Sequence, residues 1–540
     1  MAAPAKRHHA APAAANVSAL QAQLDALKAS NDALQAKVDA LANALQQANS
    51  RTDAVQARTE VVAAAAASAQ AEIKAVPKQV ASAVEAAKPK TDKIYYKGLQ
   101  VALGGYLDLT DIYRSRNELA DDTSTFSKIP WANNPLNHQS ENRLSARGSR
   151  FSLRVDADPT KSIHVIGYGE IDFLGAAQTA NNNETSSYNP RIRQGWLNVD
   201  WADMGLNLTA GQGWSLATLN KTGIKPLSEA IPDVLEYSYM PGFVYARQSE
   251  VRVAKRFDNG LTLAAAIENA ATLVGGTAPT KTAAGDTLAI STGAAGGTAF
   301  NSANTYTFHS APDVVVKAAY DAKLGPAQNL HVEGFWLGRE FADQVTTNAA
   351  LSTANLATHT STSNAYGFGV YANLVPKVLD LQANLITGEG IGRYAASTLS
   401  DVTFAADGSL KPLKETAWMV GLTWHATPMW DLYAYDGEER LSGSSGVDGA
   451  SKAYGYGNPL YNNAQCFSIA PVAGGACTAN VKSVTQSSVG FWHKLYVGNY
   501  GRVQYGATYT YTKQSAFAGV GGAPSVDENI IMASVRYYPF

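Results

Sequence analysis

The side chains in this sequence best suited to chemistry are nine charged residues arranged over a few short segments. Arg147, Arg150 and Arg154 fall in one segment, Glu170 and Asp172 in the next, and Arg191 and Arg193 in the one after. Glu250 and Arg252 stand together further on. Arg150 and Arg154 alternate with Phe151, Leu153 and Val155, so on a strand the guanidinium groups share one face and the apolar groups the other. Arg252 alternates in the same way with Val251 and Val253. Arg191 and Arg193 precede Gly195, where the alternation slips, so parity does not fix their direction. A guanidinium is always charged and grips a carboxylate through two parallel donors, so a row of them in a narrow passage attracts anions. Facing carboxylates add a transverse field. The other reading is that the two signs pair and brace a wall, and both readings stay open.

No catalytic arrangement accompanies these charges. The nine His are scattered, no Gly-x-Ser-x-Gly motif occurs, and Cys466 and Cys477 lack zinc-type spacing. No enzyme activity, metal or cofactor is expected, and a net charge of −2 gives no argument for a nucleic-acid partner. In an oxidising compartment the two Cys are expected to form a disulfide closing a short loop, with a free pair as the alternative.

The elements that position these residues divide the chain in two. Residues 1–97 contain no Gly and residues 1–94 no aromatic residue, whereas all 45 Gly and 26 Tyr lie beyond. The first region carries a heptad seam, with Val17, Leu24, Asn31, Val38 and Leu45 at a and Leu20, Leu27, Leu34 and Leu41 at d. Asn31, alone and polar at an a position, would fix register at a cost in stability. An oligomeric coiled coil is expected over 17–60, a helix packed on another element being the alternative. A disordered tail is expected over 1–16, and an Ala-rich helix and linker over 61–97. Residues 1–16 include Lys6 and Arg7 but no apolar stretch of a secretory signal, so the chain reads as a processed form.

From residue 98 to 540 the pattern is short alternating segments, sixteen in all. Leu379, Leu381, Ala383 and Leu385 oppose Asp380, Gln382 and Asn384; Ile163, Val165 and Ile171 oppose His164, Glu170 and Asp172. Seven tight connections, such as Ala202–Met204 and Thr427–Pro428, alternate with eight long ones, such as 214–246 and 439–484. Short turns on one rim and long loops on the other is the asymmetry of outer-membrane barrels. Trp201, Phe257, Trp430 and Tyr500 flank short turns, as a periplasmic aromatic girdle would. An all-β transmembrane barrel of 16 antiparallel strands is expected, apolar outside and wet inside, with the N-terminal helix in the periplasm. The loop at 214–246, with Trp214, Lys221, Lys225, Glu229, Asp233 and Glu236, is the candidate to fold inward and narrow the lumen. Tyr538 and Phe540 resemble the C-terminal signal read by barrel-assembly machinery. Phe540 is out of phase with Ile531, Ala533, Val535 and Tyr537, and a bulge would reconcile them.

The run from Arg143 to Arg154, the segment Gly169–Gly175, Arg191 to Arg193 and Gly211–Ser215 together resemble the DcaP-like porins. The resemblance is best over 99–257. It implies sixteen-stranded trimers with a periplasmic coiled coil and a preference for anions such as dicarboxylates. It also places Arg147, Arg150, Arg191 and Arg193 near a constriction. Gln194, Gly195 and Trp196 depart from the family's pattern there. The expected function is passive diffusion of small polar, preferably anionic, solutes through an outer-membrane channel. The expected partners are membrane lipid, lipopolysaccharide and two further copies of the chain. The alternative is a non-selective porin that also tethers the envelope through its helix, with peptidoglycan as the tether's partner.

Overall fold

The computed structural model describes residues 24–37, 39–40, 94–175, 183, 189–297, 304–325, 327–348 and 356–540. The chain forms two compact units, residues 1–92 and 93–540. In the first, residues 24–37 and 39–40 are helical. Leu24 on the seam is 44% exposed in the single chain, while Leu27 and Leu34 are partly covered. The expected tail, the rest of the coiled-coil span and the Ala-rich stretch up to residue 93 lie outside the described residues.

The second unit is a closed antiparallel barrel of sixteen strands. They are β1 (Leu99–Arg114), β2 (Glu141–Ser145 and Arg150–Thr160), β3 (Ile163–Asp172), β4 (Arg191–Trp201), β5 (Leu206–Trp214), β6 (Arg247–Arg256), β7 (Leu261–Glu268) and β8 (Asp313–Lys323). They continue as β9 (Asn329–Thr347), β10 (Ala357–Val375), β11 (Leu379–Glu389), β12 (Lys414–Thr427), β13 (Trp430–Leu441), β14 (Val481–Gly498), β15 (Gly501–Ala516) and β16 (Ser525–Tyr538). Each strand pairs with its sequence neighbours, and β1 closes the ring on β16 through Leu107↔Tyr537 to Arg114↔Ile530. A short strand, Ile94–Tyr96, hairpins onto the start of β1.

Closure removes every free sheet edge, and alternation sorts the side chains. Leu103, Leu107, Leu109, Phe151, Leu153, Val251, Val253, Leu263, Leu385 and Val535 lie exposed on the outside. A contiguous apolar surface of that extent suits lipid, not water. No helix among the described residues is long and apolar enough to cross a membrane.

Three departures from simple alternation matter for the lumen. In β2, four residues (Ala146 to Ser149) oppose three of β1 (Leu107 to Leu109), so the strand breaks and Arg147 turns inward. In β4, Glu170 pairs with Gln194 and Ile171 with Ile192, which leaves Arg193 as the extra residue of a bulge. At the C-terminus, by contrast, the β15–β16 ladder runs without a register shift to Arg502↔Tyr538. The bulge expected there is absent. Pro539 has no N–H to extend the ladder, so Phe540 lies beyond the strand, 59% exposed, and is not bound by its parity.

The loop from Ser215 to Ala246 folds into the lumen. Its Leu216, Ala217, Ile224 and Val244 pack against Ala254, Ala264, Ala266, Val315, Ala319 and Leu337 on the inner faces of β6–β9. Its far part, Val234 to Phe243, meets Met419, Tyr433, Tyr435, Trp492 and Met532 on β12–β16. The loop therefore spans the lumen, and its Tyr237 also bonds Asp108 of β1.

Candidate constriction and its arginine wall

Register puts three charges at one level on adjacent strands. Asp172 of β3 is the cross-strand partner of Arg150 on β2 and of Arg191 on β4. Arg191 forks Asp172, donating from Nε to Oδ1 at 3.0 Å and from Nη2 to Oδ2 at 2.8 Å. The bulge lets Arg193 reach between the strands, with Nε donating to Glu170 Oε1 at 2.7 Å and Nη1 to Asp172 Oδ2 at 3.1 Å. Arg150 Nε stands 3.9 Å from Glu170, and its Cζ lies 5.3 Å from the centre of the Tyr106 ring. Tyr168 Oη donates to Glu170 Oε2 at 3.0 Å, and the Tyr168 ring stacks on Trp196.

Arg247, at the first position of β6, faces its register partner Trp214. Between these strands the loop presents Tyr239, whose ring contacts Trp214, Phe243 and Tyr245. Tyr239 has φ of +59°, a conformation non-glycine residues adopt only when their surroundings hold them there. Burial would raise its phenol pKa, yet Arg193, Arg150 and Arg247 together outweigh burial and lower it. Four guanidinium groups (Arg150, Arg191, Arg193 and Arg247) thus meet two carboxylates (Glu170 and Asp172), an excess of two positive charges.

The remaining sequence candidates lie around this cluster. Arg147, at the strand break, is buried with Asp121, Asp122 and the Phe173 carbonyl. Arg154 lies lower, half exposed and paired with Asp156 at 2.6 Å, on a cavity of about 630 Å³ shared with Asp200 and Lys225. Glu250 and Arg252 pair at 2.7 Å and are buried beneath the loop's root, where Arg252 also donates to the Trp214 carbonyl. Tyr538 turns inward, its ring 5.1 Å from Tyr106 and 4.0 Å from Arg502 Cζ. Cys466 and Cys477 are joined in a disulfide. Asn31 is on the exposed helix of the first unit.

Sequence reasoning passed over the residues that hold the loop in place. Asp108 accepts from Tyr237 Oη, from Ser534 Oγ at 2.6 Å and from Arg536 Nε at 3.3 Å. A Cβ at Gly148 would collide with that Tyr237 hydroxyl, so the strand break must carry Gly there. Glu236 accepts from Ser124 Oγ at 2.7 Å, which ties the first long loop to the inward one. At the root, Lys317 donates to Glu333 at 2.6 Å and to the Thr218 carbonyl at 2.7 Å. His331 stands between Asp321 and Glu333, 2.8 and 3.0 Å away. Below the loop a cavity of about 440 Å³ is lined by Arg150, Lys221, Asp233, Arg502, Arg536 and Tyr538. Parity on β15 and β16 could have pointed Arg502 and Arg536 inward; nothing local could have paired Tyr237 with Asp108.

A sixteen-stranded barrel with an apolar exterior, a charged interior and a loop folded across it has the architecture of a membrane channel. Among solved structures the chain is similar to the outer-membrane channel DcaP of Acinetobacter baumannii, with a TM-score of 0.55 at 16% identity over 82% of this chain and 99% of that one. OmpT, an outer-membrane protein of Vibrio cholerae, aligns at 12% identity over 83% and 100% of the two chains, with a TM-score of 0.42. An anion-selective porin from Comamonas acidovorans aligns at 11% identity over 82% and 99%, with a TM-score of 0.40. The first supports the fold. No family model and no curated protein matches the chain.

Proposed function

We propose that the chain is an outer-membrane porin, a water-filled channel for passive diffusion of small polar solutes, with a preference for anions such as dicarboxylates. The observation that carries this reading is the four-to-two excess of guanidinium over carboxylate groups where the inward loop faces β2–β4. Inside a lumen of lowered dielectric such an excess attracts anions and repels cations. In this reading the chain works as a homotrimer in lipid and lipopolysaccharide. The Leu24 seam, open in a single chain, is covered by the same seam of other copies in a periplasmic coiled coil.

Purified full-length protein in planar bilayers under a KCl gradient tests the reading. A reversal potential on the chloride side is expected, with closure in three steps. A potassium-side reversal would overturn the anion preference, and absence of any conductance would overturn the channel.

A further inference from the structure

A second loop, residues 390–413, enters the barrel and locks onto the inward loop. Its Ile391, Tyr394 and Ala395 are buried in one cluster with Val244 and Ala246. The Tyr394 carbonyl accepts from Tyr245 N at 2.9 Å, and Ala395 forms a bridge with Val244. Glu439 of β13 pins both loops at one point, accepting from Gly242 N at 2.8 Å and from Ser397 N at 2.9 Å. Gly242, at φ of +86°, approaches β12 so closely that a Cβ would collide with the Trp418 carbonyl.

Beside this pin stands Glu415 of β12, 3% exposed. Both its carboxylate oxygens and the Ser397 hydroxyl are buried without a hydrogen-bond partner. Its register partners are Gly388 of β11 and Leu441 of β13, the latter in an apolar cluster with Phe126, Leu399, Leu413 and Val484. The groups that bear on it are acidic: Glu439 from β13, Asp401 from the 390–413 loop and the Tyr456 phenol from the next long loop. Arg339, the guanidinium on Asp401, is bound to Asp313 as well, and Tyr456 donates to the Val481 carbonyl. The outward residues at this level are polar, Thr416 bonded to Thr387 and Glu438 paired with Arg440, so the two carboxyls lie above the lipid-facing band. Burial, then the charges of Glu439 and Asp401, push the Glu415 carboxyl well above its ordinary 4.5. Burial raises Glu439 to about 7 against the hydrogen bonds from Gly242 and Ser397. Among the described residues no group of three His, Cys, Asp or Glu could hold a metal ion, so a proton is what neutralises this pair.

We propose that Glu415 and Glu439 form a proton-operated latch on the channel. While the pair keeps a proton, it holds the 390–413 loop to the inward loop. When that proton passes to water, two buried carboxylates repel and the loops part. The closed latch accepts the protonated form, and both carboxyls titrate above their ordinary value when it is closed. Its stabilisation is therefore full below pH 4.5 and is lost as pH rises through about 7. The latch acts on the loops and is independent of which solute passes.

The test is limited proteolysis within residues 390–413 of the full-length protein in detergent, from about pH 5 to about pH 8, each rate divided by that of the free 390–413 peptide. One released proton raises the open fraction by up to about tenfold per pH unit, so wild-type cleavage is expected to rise about tenfold or more over this range. Glu415→Gln is neutral at every pH and fills the same space, so its cleavage stays level and low. Glu415→Leu extends the apolar cluster and stays level as well. Glu438→Gln, on the outer face of β13, keeps the wild-type rise and controls for loss of surface charge. Excess EDTA leaves the rise unchanged. A level wild-type profile overturns the latch, and so does a rise that persists in Glu415→Gln. A profile abolished by EDTA would put a metal ion in place of the proton and overturn it too. Unitary conductance in planar bilayers is expected to increase over the same range. Conductance that stays level while cleavage rises denies the latch any hold on the passage. Absence of conductance at every pH sinks the channel reading, while the cleavage profile still decides on the latch.

Discussion

The inner faces of β1–β4 and of β6–β9 begin from the same strand pattern and end as different surfaces. On β1–β4 the inward residues are long and polar, among them Tyr106, Arg150, Glu170, Asp172 and Arg193. On β6–β9 small and apolar residues stand between charges: Ala254, Ala264, Ala266, Val315 and Ala319 among Arg252, Lys317 and Glu333. The small residues leave room for the loop's Leu216, Ile224 and Val244, so this wall is packed by apolar contact like a protein interior, whereas on the other the polar groups, also buried, are covered by hydrogen bonds to one another. Charges beneath the loop's root are paired one to one, Arg252 with Glu250 and Lys317 with Glu333; the cluster of Arg150, Arg191, Arg193 and, from the start of β6, Arg247 keeps an excess over Glu170 and Asp172. Inward-facing therefore means two things in this barrel, and side-chain size across a whole wall decides which.

The comparison is broken most severely at the loop's root. Lys317→Met leaves Glu333 buried beside His331 with its ammonium partner gone, and breaking such a pair costs about 3–5 kcal/mol. The loop is expected to leave the packed wall, seen as protease cleavage within 215–246 and a larger unitary conductance. An intact loop with unchanged conductance would show that apolar contact alone holds it. Ala319→Leu attacks the same wall by volume. Overpacking costs about 1–3 kcal/mol and should lower the thermal midpoint of loop release without altering charge selectivity. A shifted reversal potential in this variant would deny the division between the walls.

The arginine cluster is probed by Arg193→Gln. It removes the bond to Glu170 and the one to Asp172, and reduces the charge excess from two to one. The lost field is on the order of 1 kcal/mol, roughly a fivefold fall in the anion-to-cation permeability ratio. A ratio unchanged in a correctly inserted channel would make the arginines braces and nothing more.

All sixteen strands were legible because alternation and the contrast of short and long connections are local in sequence. Their limits were less so. β9 continues to Thr347 because its ladder goes on pairing with Leu288–Ser291 after the apolar alternation has stopped. The inward loop was legible from its length and charges, but its path was not. That path depends on Asp108, Tyr237 and Arg536, more than a hundred residues apart, and on alanines that in isolation read only as weak strand formers. The slip at Gly195 was visible as a fault in parity, though the ladder assigns it to Arg193. Arg247 went unnoticed because it opens its strand and has no charged neighbour in sequence; its place between Trp214 and Tyr245 is visible only in three dimensions.

A weaker handle lies where the first long loop meets β2. Asp122 is buried, accepts from Ser145 Oγ at 2.8 Å and lies 3.7 Å from Arg147. Burial raises its carboxyl from 3.8 to about 6; the Ser145 bond opposes the rise and the charge of Asp108 adds to it. A folded-state pKa above the unfolded one means the protonated form favours the folded loop. That stabilisation is full below pH 3.8 and is lost as pH rises through about 6. Proteolysis of the loop should accordingly increase between those values in wild type and stay flat in Asp122→Asn. Equal slopes in the two would assign the dependence to another group.

The smallest effect is expected far from both walls. Cys466 and Cys477 close a loop with a sequence separation of 11, for which the chain-entropy contribution is about 2–3 kcal/mol. The same loop has its own hydrogen bonds: Gln465 Nε2 to the Ala470 carbonyl at 3.0 Å, Val472 N to Gln465 Oε1 at 2.7 Å, and Thr478 N to the Asn462 carbonyl at 3.0 Å. Replacing both Cys by Ser should therefore loosen this loop alone, detected as faster amide exchange at residues 462–478. Conductance, selectivity and the thermal midpoint of the barrel should keep their wild-type values, since neither wall takes a side chain from this segment. A shift in selectivity would mean that this outer loop reaches the passage, and the division of labour between the two walls would have to include a third surface.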